Sequence, residues 1–308
     1  MSAGLNADTA CARARAAIQL GRHEEGVREA GLAVAADPEG ADGYYLLGLA
    51  LRALGRHDEA LRAVDSGTTK APQWHDLFVL RSDILRDKLR PMDAMKAAEE
   101  AVRLEANDPD CHTAVGLSAS ALGDHPRAVV AYRRALKLDP DRADLHRLLG
   151  DQHLDLSDHA QAIVEYHHAL RLEPNDAYAL NNLGCALQAQ GRLEEAAVAY
   201  KSAVLLDPTM KEAKRNTHNV VRGLTRGASV LGVIGLFAVK FKLWVLLIFA
   251  RGLLVMPAFW IVIGAVIAGA VAFSVVRGRR RLSRLGEKDP QLLAIFERLQ
   301  ADKKAGRI

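Results

Sequence analysis

The pattern of apolar, small and polar residues along this chain repeats every 34 residues between residues 7 and 210. Prolines recur at this interval, and an alanine stands where one of them is missing: Pro38, Pro72, Ala106, Pro140, Pro174 and Pro208. A fixed period in this range indicates a stack of similar supersecondary units. We therefore divide the region into six intervals, which are residues 7–40, 41–74, 75–108, 109–142, 143–176 and 177–210.

Each interval predicts two antiparallel helices. A small residue stands at the eighth position of every interval: Ala14, Gly48, Ser82, Gly116, Gly150 and Gly184. The twentieth and twenty-seventh positions are also Gly or Ala throughout, and small residues at fixed intervals let two helices approach closely. Glycine at residues 21, 55, 123 and 191 suits a left-handed C-cap after the first helix. The recurring proline ends the second helix, because it cannot continue the hydrogen-bond ladder.

These motifs resemble the tetratricopeptide repeat family, in which Leu-Gly in the first helix precedes small residues in the second helix and a closing proline. Leu47-Gly48, Leu149-Gly150 and Leu183-Gly184 carry the first motif. The resemblance implies an all-α solenoid of about six helix-turn-helix repeats over residues 7–210, preceded by a short leader at 1–6. The third interval departs from the pattern, with Leu89 at the turn and Ala106 in place of proline. The first interval is also degraded, as a terminal capping repeat would be.

In this family the first helix of each repeat lines a concave groove that takes a peptide or protein partner. The resemblance places positions five, six and nine on that surface. The corresponding residues are Tyr45, Leu49, Val79, Asp83, Thr113, Leu117, Arg147, Asp151, Asn181, Asn182 and Cys185. We expect a protein or peptide partner in this groove and no nucleic-acid partner; the sequence leaves the oligomeric state open.

Aspartates recur at the second position of four intervals: Asp42, Asp76, Asp110 and Asp144. They could form an acidic ladder that attracts basic peptides. They could instead stabilise each helix through its dipole, by about 0.3–1 kcal/mol apiece. We favour the second interpretation, because acids in the first turn of a helix are common in this family.

The charge distribution divides the chain after the repeats. Residues 1–210 carry a net charge of −9 and residues 211–308 carry +13, which together give the +4 of the whole chain. Residues 211–227 predict a basic helix that covers the last repeat or contacts anionic lipid. The tail, 277–308, is again basic.

The sequence predicts a transmembrane region at residues 228–276. Residues 252–276 contain no charge and are long enough to span a bilayer. We expect two helices, at about 228–248 and 258–276, because the basic segments on both sides then remain in the cytosol. The alternative is one crossing, preceded by an amphipathic segment that contains Lys240 and Lys242. Small residues four apart, at Gly264, Ala268 and Ala272, would allow close packing with another helix.

No sequence motif predicts catalysis. Phosphate-binding loops, nucleophile elbows and the HExxH pattern are absent, and the three cysteines show no metal-ligand spacing. The best histidine pair for a metal-dependent enzyme, His146 and His153, is seven residues apart and fits helix packing better. We therefore expect no enzymatic activity, no cofactor and no metal.

The sequence thus predicts a membrane-anchored scaffold that recruits a protein partner at the cytosolic face, with both the repeats and the tail in the cytosol. The N-terminus lacks the apolar core of a signal peptide, and the alanine- and arginine-rich composition suggests a bacterial inner membrane. The alternative is a structural subunit of a membrane export or envelope-assembly complex, packing through its transmembrane hairpin.

Overall fold

The computed structural model describes residues 6–226 and the single positions 290, 294, 297 and 301. Thirteen α-helices and no strands occur in this part of the chain. They are α1 (Ala7–Gln19), α2 (His23–Ala36), α3 (Ala41–Ala53), α4 (His57–Lys70), α5 (His75–Asp87), α6 (Pro91–Leu104), α7 (Pro109–Ala121), α8 (His125–Leu138), α9 (Ala143–Asp155), α10 (His159–Leu172), α11 (Ala177–Ala189), α12 (Leu193–Leu206) and α13 (Lys211–Arg226).

The predicted transmembrane helices at 228–248 and 258–276, with Gly264, Ala268 and Ala272, lie outside the described residues. So do residues 1–5 and nearly all of the 277–308 tail. Within residues 6–226, every helix is too short or too polar to cross a bilayer.

The chain divides into two compact units, residues 1–173 and 174–308. In the first unit, α1 to α10 form five helical hairpins, and α2, α4, α6 and α8 each also pack against the first helix of the next hairpin. In the second unit, α11 and α12 form a hairpin and α13 packs against both. The division expected at residue 210 therefore falls inside the second unit, because α13 covers α12. The all-α repeat architecture predicted from the period is confirmed for the described residues.

The turn between the two helices has the same geometry in all six repeats. Its central residue has a positive φ, between 55° and 76°, at Gly21, Gly55, Leu89, Gly123, Ser157 and Gly191. The next residue donates its N–H to a carbonyl five residues earlier, as in Arg56 to Leu51 (2.9 Å) and Arg90 to Leu85 (2.9 Å). This bond is the Schellman closure of the first helix. Leu89 and Ser157 therefore take a left-handed conformation that glycine adopts at far lower cost.

The closing proline of the repeat is not needed to end the second helix. Where Ala106 replaces it, α6 still has the 14 residues of the other second helices and ends at Leu104. The Glu105 side chain accepts a hydrogen bond from the Asn107 N–H (3.2 Å), and a His112 ring nitrogen lies 2.9 Å from the Ala106 carbonyl oxygen. These local hydrogen bonds stabilise the connection between α6 and α7, at the place where the other repeats have proline.

The two helices of a hairpin are held closest where the eighth position meets the twenty-fourth. A Cβ added at Gly150 would lie 2.8 Å from Cε1 of Tyr166, and one added at Gly184 would lie 2.6 Å from Cε1 of Tyr200. Gly116 is even closer to the ring of Tyr132. In the fourth, fifth and sixth repeats, the small residue predicted from the period is therefore required by the tyrosine ring packed against the first helix.

We predict that Leu89→Gly stabilises the third repeat. Leu89 is 89% exposed, so its side chain contributes little packing, whereas a left-handed conformation costs a non-glycine residue about 1–2 kcal/mol. Glycine loses more conformational entropy on folding than leucine does, and after this cost is subtracted the free energy of unfolding should rise by about 0.5–1 kcal/mol. Amide hydrogen exchange should slow in α5 and α6. The matched change Gly55→Ala, at the same turn of the second repeat, should accelerate exchange in α3 and α4; faster exchange in Leu89→Gly would refute the turn assignment.

Candidate functional site

In the first unit, the predicted groove residues lie along four consecutive first helices. Each of these helices contributes two residues four positions apart, which share one side of a helix. We call this set the first-helix face: Tyr45 and Leu49 on α3, Val79 and Asp83 on α5, Thr113 and Leu117 on α7, and Arg147 and Asp151 on α9. Seven of the eight are half-buried. The exception is Thr113, which is buried and donates its hydroxyl to the Pro109 carbonyl (2.8 Å).

An aromatic pair lies at the α3–α5 end of this face. The ring centroids of Tyr45 and Trp74 are 5.0 Å apart, and the Trp74 indole N–H donates to Asp76 Oδ2 (2.8 Å). Burial raises the pKa of Tyr45, and nearby carboxylates, led by Asp76 and Asp110, raise it further. This end of the face therefore combines half-exposed aromatic surface with negative charge.

A charged network joins α3 to α5. Asp83 accepts hydrogen bonds from Arg52 (2.9 Å) and Arg86 (2.6 Å), and Arg52 also donates to Asp87 (2.6 Å). Burial raises the pKa of Asp83, and the two arginines oppose that effect. Sequence reasoning found Asp83 but missed Arg52 and Arg86. Both occupy the twelfth position, one helical turn after the ninth, so helical periodicity could have placed them on the same face.

Tyr132 differs from the two other tyrosines at its repeat position. Tyr166 donates its hydroxyl to Asp151 (2.7 Å), and Tyr200 donates to Gln188 (3.0 Å). The Tyr132 side chain is fully buried, and its hydroxyl has no hydrogen-bond partner among the described residues. At the ninth position of its repeat stands Leu117, which cannot accept the bond that Asp151 accepts from Tyr166.

The unpartnered hydroxyl of Tyr132 lies close to the charged residues of the first-helix face. Burial raises the pKa of this phenol, Arg86 and Arg147 lower it, and Asp151 raises it. Arg86 also lacks one hydrogen bond, because its Nε is buried without a partner among the described residues. Buried polar groups are nearly always paired, so these two unpaired donors require an explanation. We call Tyr132 and Arg86 the donor pair.

In the second unit, α13 contacts predicted groove residues of α11. Asn181 is buried; its Oδ1 accepts a hydrogen bond from Asn216 (3.0 Å) and its amide donates to Asn182 (3.1 Å). The Asn216 amide also lies 3.9 Å from the Cys185 sulfur. Asn181 is therefore engaged by α13 instead of facing an open groove. Sequence reasoning considered α13 as a covering helix but did not foresee this contact with the asparagine pair.

The recurring aspartates are partly neutralised by arginine. Arg142 donates to Asp110 (2.9 Å) and makes two bonds to Asp144 (2.8 Å each). These hydrogen bonds lower the pKa of Asp144 below its ordinary value. This geometry favours a structural role for the series over an open acidic ladder.

The histidine pair considered from the sequence does not form a shared site. His146 lies 2.8 Å from Glu165 Oε2, and its ring stacks on His168 with centroids 5.0 Å apart. His153 is buried, and burial followed by Arg133 lowers its pKa. Each ring thus has its own partners, which agrees with the packing role favoured for both.

The structure brings together three other potential metal ligands, His75, Asp108 and Cys111. Their donor atoms all lie within 4.8 Å of one another, and no other such group of three occurs among the described residues. His75 Nε2 is 2.8 Å from Asp108 Oδ2. Cys111 is fully buried. Burial, followed by the carboxylates of Asp108 and Asp76, raises the pKa of its thiol to about 12. The expectation that no cysteine has metal-ligand surroundings missed this group, because it considered spacing within one repeat only.

Family models match the repeats directly. Residues 11–73 and 177–210 match models described as "Tetratricopeptide repeat", and residues 120–157 and 150–191 match a model described as "TPR repeat". The chain carries tetratricopeptide repeats. Helices α5 and α6 form the same tetratricopeptide hairpin, although they lie in the interval between the matched segments.

Solved structures share this fold at low sequence identity. A chain of the APC/C hetero-tetramer Cut9-Hcn1 is 17% identical with a TM-score of 0.65, over 70% of this chain and 43% of that one. PilW, described as a widely conserved type IV pilus biogenesis factor, is 14% identical with a TM-score of 0.63, over 68% of this chain and 97% of its own. Pseudomonas aeruginosa PilF is 15% identical with a TM-score of 0.60, over 68% of this chain and 95% of its own. At these identities the likeness shows the fold alone. No curated protein matches the sequence.

We predict that Tyr132→Phe leaves the stability of the repeats unchanged or raises it, because it removes a buried hydroxyl that has no partner. The same change at the equivalent position, Tyr166→Phe, breaks the bond to Asp151 and should cost about 1 kcal/mol. Chemical denaturation of the full chain in detergent, followed by far-ultraviolet circular dichroism, measures both. Equal losses in the two variants would show that Tyr132 has an internal partner and would remove the basis for the donor pair.

Proposed function

We propose that the chain is a non-enzymatic, membrane-tethered scaffold whose first-helix face binds an extended segment of a protein partner. The tetratricopeptide fold supports a role in protein–protein interaction. The observation that carries the proposal is the donor pair, since Tyr132 and Arg86 each have a buried hydrogen-bond donor without a partner among the described residues. Because both atoms are buried, an oxygen acceptor of a partner would reach them only after the covering side chains move apart on binding.

The chemistry of the face indicates what that acceptor is. Around the donor pair the charges balance: Arg52 and Arg86 face Asp83 and Asp87, and Arg147 lies 3.5 Å from Asp151. A neutral main-chain carbonyl of an extended peptide suits such surroundings better than a charged group, whose desolvation would not be repaid. The aromatic pair of Tyr45 and Trp74 offers apolar contact for a neighbouring side chain of the same segment.

The proposed membrane tether is inferred from the sequence alone. Residues 252–276 contain no charge, and basic segments flank the region 228–276. A tether at this position would hold the repeats at the cytosolic surface and raise the local concentration of a partner beside membrane complexes. The alternative, a structural subunit of an export or envelope-assembly complex, would use Gly264, Ala268 and Ala272 for helix packing and also stays a prediction.

Site-specific photocrosslinking in intact cells tests the proposal. We expect a full chain with benzoylphenylalanine in place of Val79, on the first-helix face, to give a discrete protein adduct that fractionates with membranes. The same probe at Val130, which is 69% exposed on the second helix α8, should not give that adduct. Adding Tyr132→Phe should reduce the adduct roughly fivefold, which corresponds to one hydrogen bond of about 1 kcal/mol.

Two controls separate loss of binding from loss of structure. Tyr166→Phe weakens the fold but leaves the donor pair intact, so it should reduce the adduct less than Tyr132→Phe does. An adduct at position 79 that Tyr132→Phe leaves unchanged would contradict the role of the donor pair. Equal adducts at positions 79 and 130 would contradict the first-helix face as the binding surface.

A further inference from the structure

Three side chains from two consecutive first helices meet where those helices begin. His75 is the first residue of α5, Asp108 is the N-cap of α7, and Cys111 is the third residue of α7. The side chains of His75 and Asp108 are 24% and 25% exposed, and Cys111 is fully buried. The group therefore has one face open to solvent and a thiol at its base. We call it the α5/α7 cluster.

The repeat scaffold does not require these residues. The first position of the repeat is alanine in four of the six intervals and proline in a fifth, and His75 is the only histidine there. The third position holds a cysteine only at Cys111. The cluster arises because residues 108 and 111 both follow residue 75 by nearly one 34-residue period. Consecutive repeats place such residues at the same end of neighbouring first helices.

Outer hydrogen bonds orient the carboxylates of the cluster. Asp108 Oδ1 accepts the Asp110 N–H (2.8 Å), so that Oδ2 faces His75 Nε2 at 2.8 Å. The neighbouring Asp76 has the same arrangement: Oδ2 accepts the Trp74 indole N–H (2.8 Å), and Oδ1 lies 3.3 Å from His75 Nε2. In metal sites, comparable outer-shell bonds fix the ligating oxygen and strengthen the ligand.

We infer that the α5/α7 cluster binds one Zn²⁺ through His75 Nε2, Asp108 Oδ2 and Cys111 Sγ, with water as the fourth ligand. Nitrogen, sulfur and oxygen donors together suit zinc, a borderline-soft cation that accepts all three. Zinc bonds of 2.0–2.3 Å in a tetrahedron separate the donors by about 3.3–3.8 Å. The His75 Nε2 to Asp108 Oδ2 separation of 2.8 Å is shorter than that range, and all three cluster donors lie within 4.8 Å of one another, so small side-chain movements would place them around one ion.

The bound cation would replace the proton that His75 now shares with Asp108, and the Cys111 thiol would release its proton to solvent on ligation. The metal would join the start of α5 to the start of α7 and thus fasten the third repeat to the fourth. This site does not depend on the identity of the partner.

Cobalt spectroscopy on the full, untagged chain tests the inference, with the protein reduced, chelator-treated and kept in detergent. One equivalent of Co²⁺ should give thiolate-to-metal charge-transfer absorption, and one equivalent of Zn²⁺ should remove it. Cys111→Ser should abolish that absorption, whereas Cys185→Ser, at a half-buried cysteine in the second unit, should not change it. His75→Ala, at a partly exposed site, should weaken Zn²⁺ binding by at least about tenfold.

Circular dichroism distinguishes loss of a ligand from loss of structure, since His75→Ala should retain the helical content of the wild type. Absence of stoichiometric metal binding by the wild-type chain would overturn the inference. So would charge-transfer absorption that survives Cys111→Ser, or binding that His75→Ala leaves unchanged. Binding that Asp108→Asn leaves unchanged would show that Asp108 is not a ligand and would contradict the assignment of a three-residue site.

Discussion

The close contact between a small residue in the first helix and the ring or branched side chain at the twenty-fourth position determines the rest of this structure. At Gly116, Gly150 and Gly184 the neighbouring tyrosine ring leaves no room for a Cβ, and at Gly48 a valine takes the same role. In these four hairpins the contact brings the two helices together and fixes the orientation of the first helix against the second.

The same contact also explains why Tyr132 is important. Packing against Gly116 fixes the position of its ring and therefore of its hydroxyl. In the fifth repeat Asp151 accepts a hydrogen bond from the equivalent hydroxyl, and in the sixth repeat Gln188 does. In the fourth repeat Leu117 offers no acceptor, so the Tyr132 hydroxyl stays buried without a partner among the described residues. A requirement of packing thereby leaves one buried polar group unpaired.

The departures from the repeat pattern concentrate around α5 and the start of α7. Leu89 takes a left-handed turn without glycine, Ala106 replaces the closing proline, and His75 replaces the usual alanine at the start of the helix. The hairpin keeps its geometry despite these changes, because the Schellman bond and the packing contacts remain. The scaffold thus tolerates residues that differ from the repeat pattern, and the α5/α7 cluster contains two of them, His75 and Cys111.

The sequence predicted the helices well because small residues recur at the eighth, twentieth and twenty-seventh positions of all six repeats. It also placed Tyr45, Asp83, Arg147 and Asp151 along the first helices. It could not show that Asn181 is covered by Asn216, since α13 lies beyond the repeats and its register against α11 has no periodic signal. It missed the α5/α7 cluster because the ligands come from different repeats. The predicted membrane region remains a prediction.

The most direct test of the packing contact is amide hydrogen exchange in Gly116→Ala. Alanine has the higher helix propensity by about 1 kcal/mol, so helix propensity alone predicts slower exchange in α7. The contact with Tyr132 predicts the opposite: faster exchange in α7 and α8, extending to α9, against which α8 packs. Gly31→Ala, at a helical glycine with nothing within 4 Å of an added Cβ, is the matched control and should slow exchange in α2. Slower exchange in both variants would contradict the view that this contact organises the fold.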